Sequence, residues 1–325
     1  MVNFEYVTPK TLQDVPGLLS RKWGEAVILA GGTDLLDRLK ERIDRPQRVI
    51  NIKEIKGMDG VKNGKGLEIG ALTTIAEIAE HKSVREKYPV LAEAAFSIAT
   101  PQLRNMGTIG GNLCQRPRCW YYRGLEYDCL KKGGPKCYAA EGLNKYHAIF
   151  GGGPSYIVHP SDSAPALQAL GASVEVMGAS GAEDYGLDEF FELPEDNLRR
   201  ENILRANQFI TKIKVPEQPK GTRSTYVKFR EKQSLDFAVS SVAAVLQMDG
   251  ARVKQAKIVL GGVAPIPWAA EEADAELNGK ELSSAAVEKA ASAAVASAEP
   301  LSQNGYKIQL TKNLIKRALE KLAIG

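Results

Sequence analysis

The sequence predicts an α+β protein in two parts. Short apolar, strand-like runs alternate with helix-length amphipathic segments as far as about Ile210. Two separated Gly-Gly turns, Gly31-Gly32 and Gly110-Gly111, punctuate that region. From Ile210 the texture changes to alternating runs followed by alanine-rich helices, a second unit joined near Pro216–Gly221. With 325 residues, 44% of them apolar, the chain is long enough for two or three domains and a sizeable core.

Taken in order, Tyr6 to Lys22 opens on T-P-K-T-L-Q-D-V, a threonine-and-proline entry to a short amphipathic helix. Glu25 to Leu29 has the length of a buried strand and runs into Ala30-Gly31-Gly32-Thr33-Asp34, after which Leu35 to Arg42 is helix-like. Val49–Ile52 and Leu67–Ile69 read as strands across a charged, glycine-bearing connection. Thr74 is placed to cap a helix from Ile75 to His81. Pro89 to Ile98 reads as another, stopping at Thr100-Pro101. Beyond the second glycine turn, Cys114 to about Phe150 has no clear period. About 35 residues without regular structure inside a compact domain require another source of order, which a bound metal group would supply. Ala166–Leu170 is a small-residue helix, Ser173–Met177 a strand, and Glu189–Leu193 a short helix before a charged linker. Strands follow at Ile210–Val215, Thr225–Phe229, Ala238–Gln247 and Lys257–Val263, then helices at Ala269–Leu277, Ser284–Ala298 and Leu310–Leu322.

The glycine turns suggest anion binding. Glycine permits positive φ and lets backbone N–H groups approach a ligand, and the start of a following helix adds its dipole. One strand–Gly–Gly–helix turn is most often only a turn, and the first does not match G-x-G-x-x-G. Two of them, each flanked by Thr and a polar amide or acid, could hold both charges of a diphosphate without any lysine. Asp162 is read as a helix cap or first-turn charge, with a ribityl or ribose hydroxyl contact as the alternative.

All four cysteines, Cys114, Cys119, Cys129 and Cys137, fall within 24 consecutive residues. Residues 1–10 show no basic region followed by an apolar run, so a cytoplasmic, reducing location is expected and disulfides would not persist. Zinc commonly uses cysteine pairs two to four residues apart; the gaps here are four, nine and seven, so one pair fits. A 4Fe-4S cluster needs four thiolates and tolerates wide spacing, and the intervening Trp120, Tyr121, Tyr122, Arg116, Arg118, Lys131 and Lys132 would shield it and offset its charge. The four-iron cluster is the preferred reading, with zinc the alternative.

Other classes find little support. A formal charge of +4 with dispersed basic residues gives no nucleic-acid stripe. No apolar run approaches the roughly 20 residues of a membrane span. His81, His147 and His159 are far apart in sequence, and each is read as structural or superficial.

Together these residues resemble a known family. The elements I-L-A-G-G-T-D-L-L, I-G-A-L-T-T, Q-L-R-N-M-G-T-I-G-G-N, S-D-S-A-P-A-L, Y-V-K-F-R with D-F-A-V, and V-L-G-G-V-A-P-I-P-W look like the FAD-binding medium subunit of molybdenum hydroxylases, the xanthine dehydrogenase and carbon monoxide dehydrogenase superfamily. The likeness spans nearly the whole chain. The cysteine segment departs from most members, which have a shorter connection there. It is similar to the flavin subunits of 4-hydroxybenzoyl-CoA reductase and of a periplasmic-type aldehyde oxidoreductase, which carry an additional 4Fe-4S cluster.

The resemblance implies a PCMH/VAO-type FAD domain of two α/β subdomains over residues 1–215, with an iron–sulfur insertion at about 114–150, and a C-terminal α/β domain over 221–325. It assigns Ala30, Gly31, Gly32, Thr33 and Asp34 to the FAD diphosphate side, and Thr108, Gly110, Gly111 and Asn112 to a second cofactor loop. Asp162 would contact the sugar-like chain and Lys228 the flavin side, with a solvated strand lysine as the alternative; Ala71 and Thr73 are weaker members. No residue of this chain is expected to transform an organic substrate. The implied role is electron transfer between a large molybdopterin-binding subunit, a small 2Fe-2S subunit and an external carrier, ferredoxin-like or other. A zinc-stabilised binding or assembly module and an autonomous FAD oxidase of the same fold are the rival readings.

Overall fold

The computed structural model describes residues 1–233 and 235–324. The chain begins with β1 (Glu5–Val7), α1 (Asp14–Leu18), β2 (Ala26–Leu29), α2 (Leu35–Lys40) and β3 (Arg48–Asn51). The three strands form a parallel sheet in the order β1-β3-β2, with Leu29 paired to Asn51. Successive residues of β3 serve two cores: Val49 packs with Leu29, Leu35 and Leu39, and Ile50 joins the main apolar core. A strand covered on both faces needs apolar residues on both, which the successive Val49 and Ile50 supply.

Next come β4 (Val61–Gly64), β5 (Gly66–Gly70), α3 (Ile75–Glu80), α4 (Lys82–Lys87), α5 (Pro89–Ser97), α6 (Pro101–Met106) and α7 (Ile109–Leu113). Thr74 caps α3 as expected, in a full capping box with Glu77. Thr100 and Pro101, read as a stop, also start a new helix, since proline is tolerated at a first turn. The second glycine turn is itself the helical turn α7, capped by Thr108.

The cysteine segment adds only α8 (Trp120–Arg123) and a 3-10 turn at Leu130–Lys132. After it come α9 (Ser163–Ala169), β6 (Ser173–Gly178), β7 (Gly181–Gly186), α10 (Leu187–Phe190) and β8 (Phe209–Pro216). An antiparallel five-stranded sheet runs β4-β5-β8-β6-β7. Along β8, Ile213 and Val215 are buried while Lys212 and Lys214 face out towards Glu175. The edge strands β4 and β7 escaped sequence reading because they are polar and half-exposed, without an apolar alternation.

The last unit comprises β9 (Thr222–Phe229), β10 (Ser240–Asp249), β11 (Arg252–Gly261), β12 (Trp268–Ala269), α11 (Glu271–Leu277), α12 (Ser284–Ala293) and α13 (Tyr306–Ile324). Its antiparallel sheet, β12-β11-β10-β9, is covered on both sides. Val242, Ala244, Leu246, Ile258 and Leu260 face α11–α13, while Tyr226, Ala243, Val245 and Val259 join the core of the preceding domain. Among the described residues, no helix is long and apolar enough to cross a membrane.

Candidate functional site

The first glycine turn leads from β2 to α2. Gly31 lies so close to α6 that a Cβ would overlap the carbonyl oxygen of Met106, and Gly32 has φ +75°, a conformation that L side chains rarely adopt. The resulting backbone leaves the N–H groups of Gly31, Gly32, Thr33 and Asp34 without an acceptor among the described residues. They line a cavity of about 250 Å³ with Ala30, Ala71, Gly110 and Gly111. Unpaired amides at a cavity wall are costly unless solvated or bound to an acceptor, so this wall suits an anion.

Asp34 is differently employed. Its carboxylate accepts from the Arg116 amide at 3.0 Å and pairs with Arg38, Arg118 and Arg123 at 3.2, 3.0 and 2.7 Å. Burial pushes its carboxyl up, but the three guanidinium groups outweigh burial and hold it below the usual range. Asp34 therefore ties the glycine turn to the cysteine segment.

The second turn uses its amides internally. Ile109 donates to Thr73 O, Gly110 to Ala71 O, Asn112 to Thr108 O and Gly111 to the Thr108 hydroxyl. What it presents to the cavity is the side-chain-free surface of Gly110 and Gly111, with Thr108 beside them. The expectation of two equally amide-lined turns thus holds for the first alone, because α7 consumes the donors of the second. Thr73 lies behind this wall, fully buried, its hydroxyl donating to Gly60 O at 3.0 Å.

An inner cavity of about 80 Å³ continues past Thr33, Asp34, Thr108 and Gly111 to Asn112, Asp162 and Lys228. Lys228 is no solvated strand lysine. Its Nζ lies 2.8 Å from Asp162 Oδ2, with both side chains 5% exposed. Asp162 occupies the N-cap position of α9, but its side chain makes no capping bond; its other oxygen accepts from Tyr226 Oη at 2.6 Å. Tyr226, missed in the sequence, stands two residues from Lys228 on the same face of β9, a period-two signal that could have found it. Burial first, and then Asp162, push its phenol well above the usual value. Asn112 Oδ1 accepts from the Ser161 hydroxyl at 2.5 Å, which fixes the amide group.

A third cavity, about 380 Å³, adjoins the inner one and shares Arg118, Asp162 and Phe237 with it. Cys119, Trp120, His147 and His159 line it, so the tertiary fold unites two histidines that sequence distance had separated. Burial holds both imidazoles down at about 4, Lys307 adding to the effect at His147. The Cys119 thiol is pushed up to about 12, by burial first and then by Cys137 and Cys129, which stand near enough to act on it. Cys114 is placed apart from them, on the 250 Å³ cavity, packed against the main core. All four thiols are free. Among the described residues, no three of His, Cys, Asp or Glu stand close enough to share one metal ion. That spacing does not suit a single tetrahedral zinc.

The segment is held down by buried charge. Glu201 pairs with Arg116 at 2.7 Å and Lys131 at 2.9 Å. From the C-terminal unit, the fully buried Lys307 donates to the carbonyls of Tyr146, His147 and Gly262.

Two family models match the chain: the FAD binding domain in molybdopterin dehydrogenase over residues 2–218, and the CO dehydrogenase flavoprotein C-terminal domain over residues 224–322. The sequence is 36% identical over 312 residues to the aldehyde oxidoreductase FAD-binding subunit PaoB of Escherichia coli (strain K12), covering 94% of this chain and 92% of that protein. It is 31% identical over 322 residues to the carbon monoxide dehydrogenase medium chain of Hydrogenophaga pseudoflava, covering 97% and 96%. The structure resembles carbon monoxide dehydrogenase from Hydrogenophaga pseudoflava with a TM-score of 0.78, 29% identity and 99% and 97% coverage of the two chains. It resembles reconstituted CO dehydrogenase from Oligotropha carboxidovorans with a TM-score of 0.79, 26% identity and 99% and 98% coverage.

Proposed function

The chain belongs to the family of FAD-binding medium subunits of the xanthine dehydrogenase and CO dehydrogenase type, and on that premise we propose that it is the electron-transfer subunit of a three-subunit molybdenum hydroxylase-type oxidoreductase, carrying FAD and one 4Fe-4S cluster. Its partners in this reading are a large molybdopterin-binding subunit and a small 2Fe-2S subunit, with an external carrier completing the circuit. A reducing compartment such as the cytoplasm suits its free thiols.

The observation that carries the reading is adjacency. The cavity beside Cys119 shares Arg118, Asp162 and Phe237 with the inner end of the glycine-lined groove, so a cluster and a flavin would be near neighbours. When bound, FAD exchanges one or two electrons and an iron–sulfur cluster one at a time. The chain's own residues bind and orient. The amides of residues 31–34 receive the diphosphate, the bare glycines 110 and 111 let it lie close, and Ala71 and Thr108 complete the wall. Asn112 and Asp162 are in reach of the sugar-like chain, Lys228 sets the charge at the flavin end, and Thr73 supports the second turn from behind.

Purification of the native complex tests this. Expected for this chain are about one FAD and four irons, a yellow-brown colour, and no substrate turnover without the partners. A colourless chain with one zinc would replace the reading with an assembly module, and turnover by the isolated chain would replace it with an autonomous oxidase.

A further inference from the structure

We propose that the rim around Arg104, Arg230 and Lys232 is the docking surface for a one-electron carrier protein with an acidic, partly apolar face. The inference rests on the electron-transfer reading above and names where its external carrier meets the chain.

Three parts of the fold bring these cations together. Arg104 lies on α6, Arg230 follows β9 directly, and Lys232 stands exposed in the loop to β10. Arg104 Nη1 donates to the carbonyls of Ile98 and Ala99 at 2.8 and 3.4 Å, and Arg230 Nη1 donates to Ser97 O at 3.2 Å. Both guanidinium groups are thus anchored on one turn after α5 by neutral carbonyls, which leave their charge uncancelled. Burial first, and then Arg230, hold the Arg104 guanidinium below its ordinary value, with Glu80 opposing them from a distance. The other nearby carboxylates are engaged elsewhere. Glu231 accepts from Lys145 Nζ at 2.5 Å and Tyr146 Oη at 2.8 Å, Asp236 from the Lys232 amide at 2.9 Å, and Asp162 from Lys228. Among the described residues, no carboxylate forms an ion pair with Arg104, Arg230 or Lys232.

Apolar side chains stand among these charges. Phe96 is 69% exposed and carries the Arg104 guanidinium 5.2 Å over its ring. Leu235 is 53% exposed at φ +59°, a conformation uncommon outside glycine, so the loop displays this side chain at a cost in backbone strain. Leu103, Leu235 and Phe237 also line the inner cavity with Lys228, which makes the rim continuous with the flavin end of the groove. Exposed apolar groups mixed with arginine suit a protein interface, whereas a small-molecule carrier needs an enclosing pocket. Unpaired cations steer an acidic partner and fix its orientation. Each encounter passes one electron between the flavin and the metal centre of the carrier, with no atom transferred. Two encounters complete a two-electron flavin cycle.

The test mixes the oxidised native complex with a reduced, acidic 2Fe-2S ferredoxin in a stopped-flow instrument, read at the flavin absorbance, from about 20 to about 300 mM salt. The wild-type second-order rate should fall at least about tenfold over that range. K232E should lower the low-salt rate, and R230Q/K232E should lower it by at least about tenfold and flatten the salt dependence. Dithionite, too small to need the surface, should bleach the flavin of every variant as it does in wild type, which separates lost docking from misfolding. Should the double variant lose its flavin, K232E alone, at an exposed position, decides by the same criterion. A salt-independent wild-type rate, or variants as fast as wild type, would overturn the proposal. Variants that keep the ferredoxin rate but lose reduction by NADH would overturn it in favour of a nucleotide site. A wild-type complex without a reducible flavin would instead sink the electron-transfer reading itself.

Discussion

Asp162, Lys228 and Tyr226 form the most enclosed polar group in the groove, with Asp162–Lys228 at 2.8 Å and Tyr226–Asp162 at 2.6 Å. Removing one partner of such a buried pair leaves an uncompensated charge, at a cost of about 3–5 kcal/mol, whereas removing both charges together costs far less. K228M should therefore lower unfolding stability by about that amount and weaken FAD retention, and K228M/D162N should recover most of the stability. Denaturant unfolding with and without FAD reads both effects; a K228M variant as stable as wild type would show that the pair is solvated. Lys228 was legible through the Y-V-K-F run and Asp162 through S-D-S-A-P. Their contact was not, because 66 positions separate them.

At the scale of elements, the turn between β2 and α2 and the position of α6 depend on each other. A Cβ at Gly31 has no space against Met106, so G31A must displace either the turn or α6. The displacement would turn the free amides away from the groove. G31A is expected to bind FAD at least about tenfold more weakly in a titration of the apo chain, a loss of about 1.4 kcal/mol. At Gly17 in α1 nothing lies within 4 Å of an added Cβ, so G17A should bind FAD as wild type does and be no less stable. G31A with unchanged affinity would remove the amide wall from the mechanism of binding. The glycine pairs were readable as turns because glycine there is a local backbone requirement. Which pair keeps its amides free was not readable, since that depends on whether a neighbouring carbonyl is within reach.

Across the whole molecule the two domains share a core, and the cysteine segment is clamped between them by Glu201 on one side and Lys307 on the other. Acid should loosen the stretch around His159, beside this clamp, first. Burial holds His159 at about 4 against an ordinary 6.5, so its stabilising contribution is fully present above 6.5 and is lost as pH falls through 4. Between pH 6.5 and 4, hydrogen exchange should rise around residues 155–165 before it rises in α11–α13; H159Q should flatten the rise around 155–165, while the contribution of His147, held down to the same value, should persist. Equal acceleration throughout would disprove a local clamp.

The sequence alone determined the α+β character, the order of most elements, the glycine turns and the family, because periodicity, capping and motif are properties of neighbouring residues. Only the tertiary structure decided that His147 meets Cys119, that Cys114 faces the groove, and that Asp34 serves arginines. Those outcomes depend on where irregular backbone is carried by packing and buried charge, and no local pattern records that.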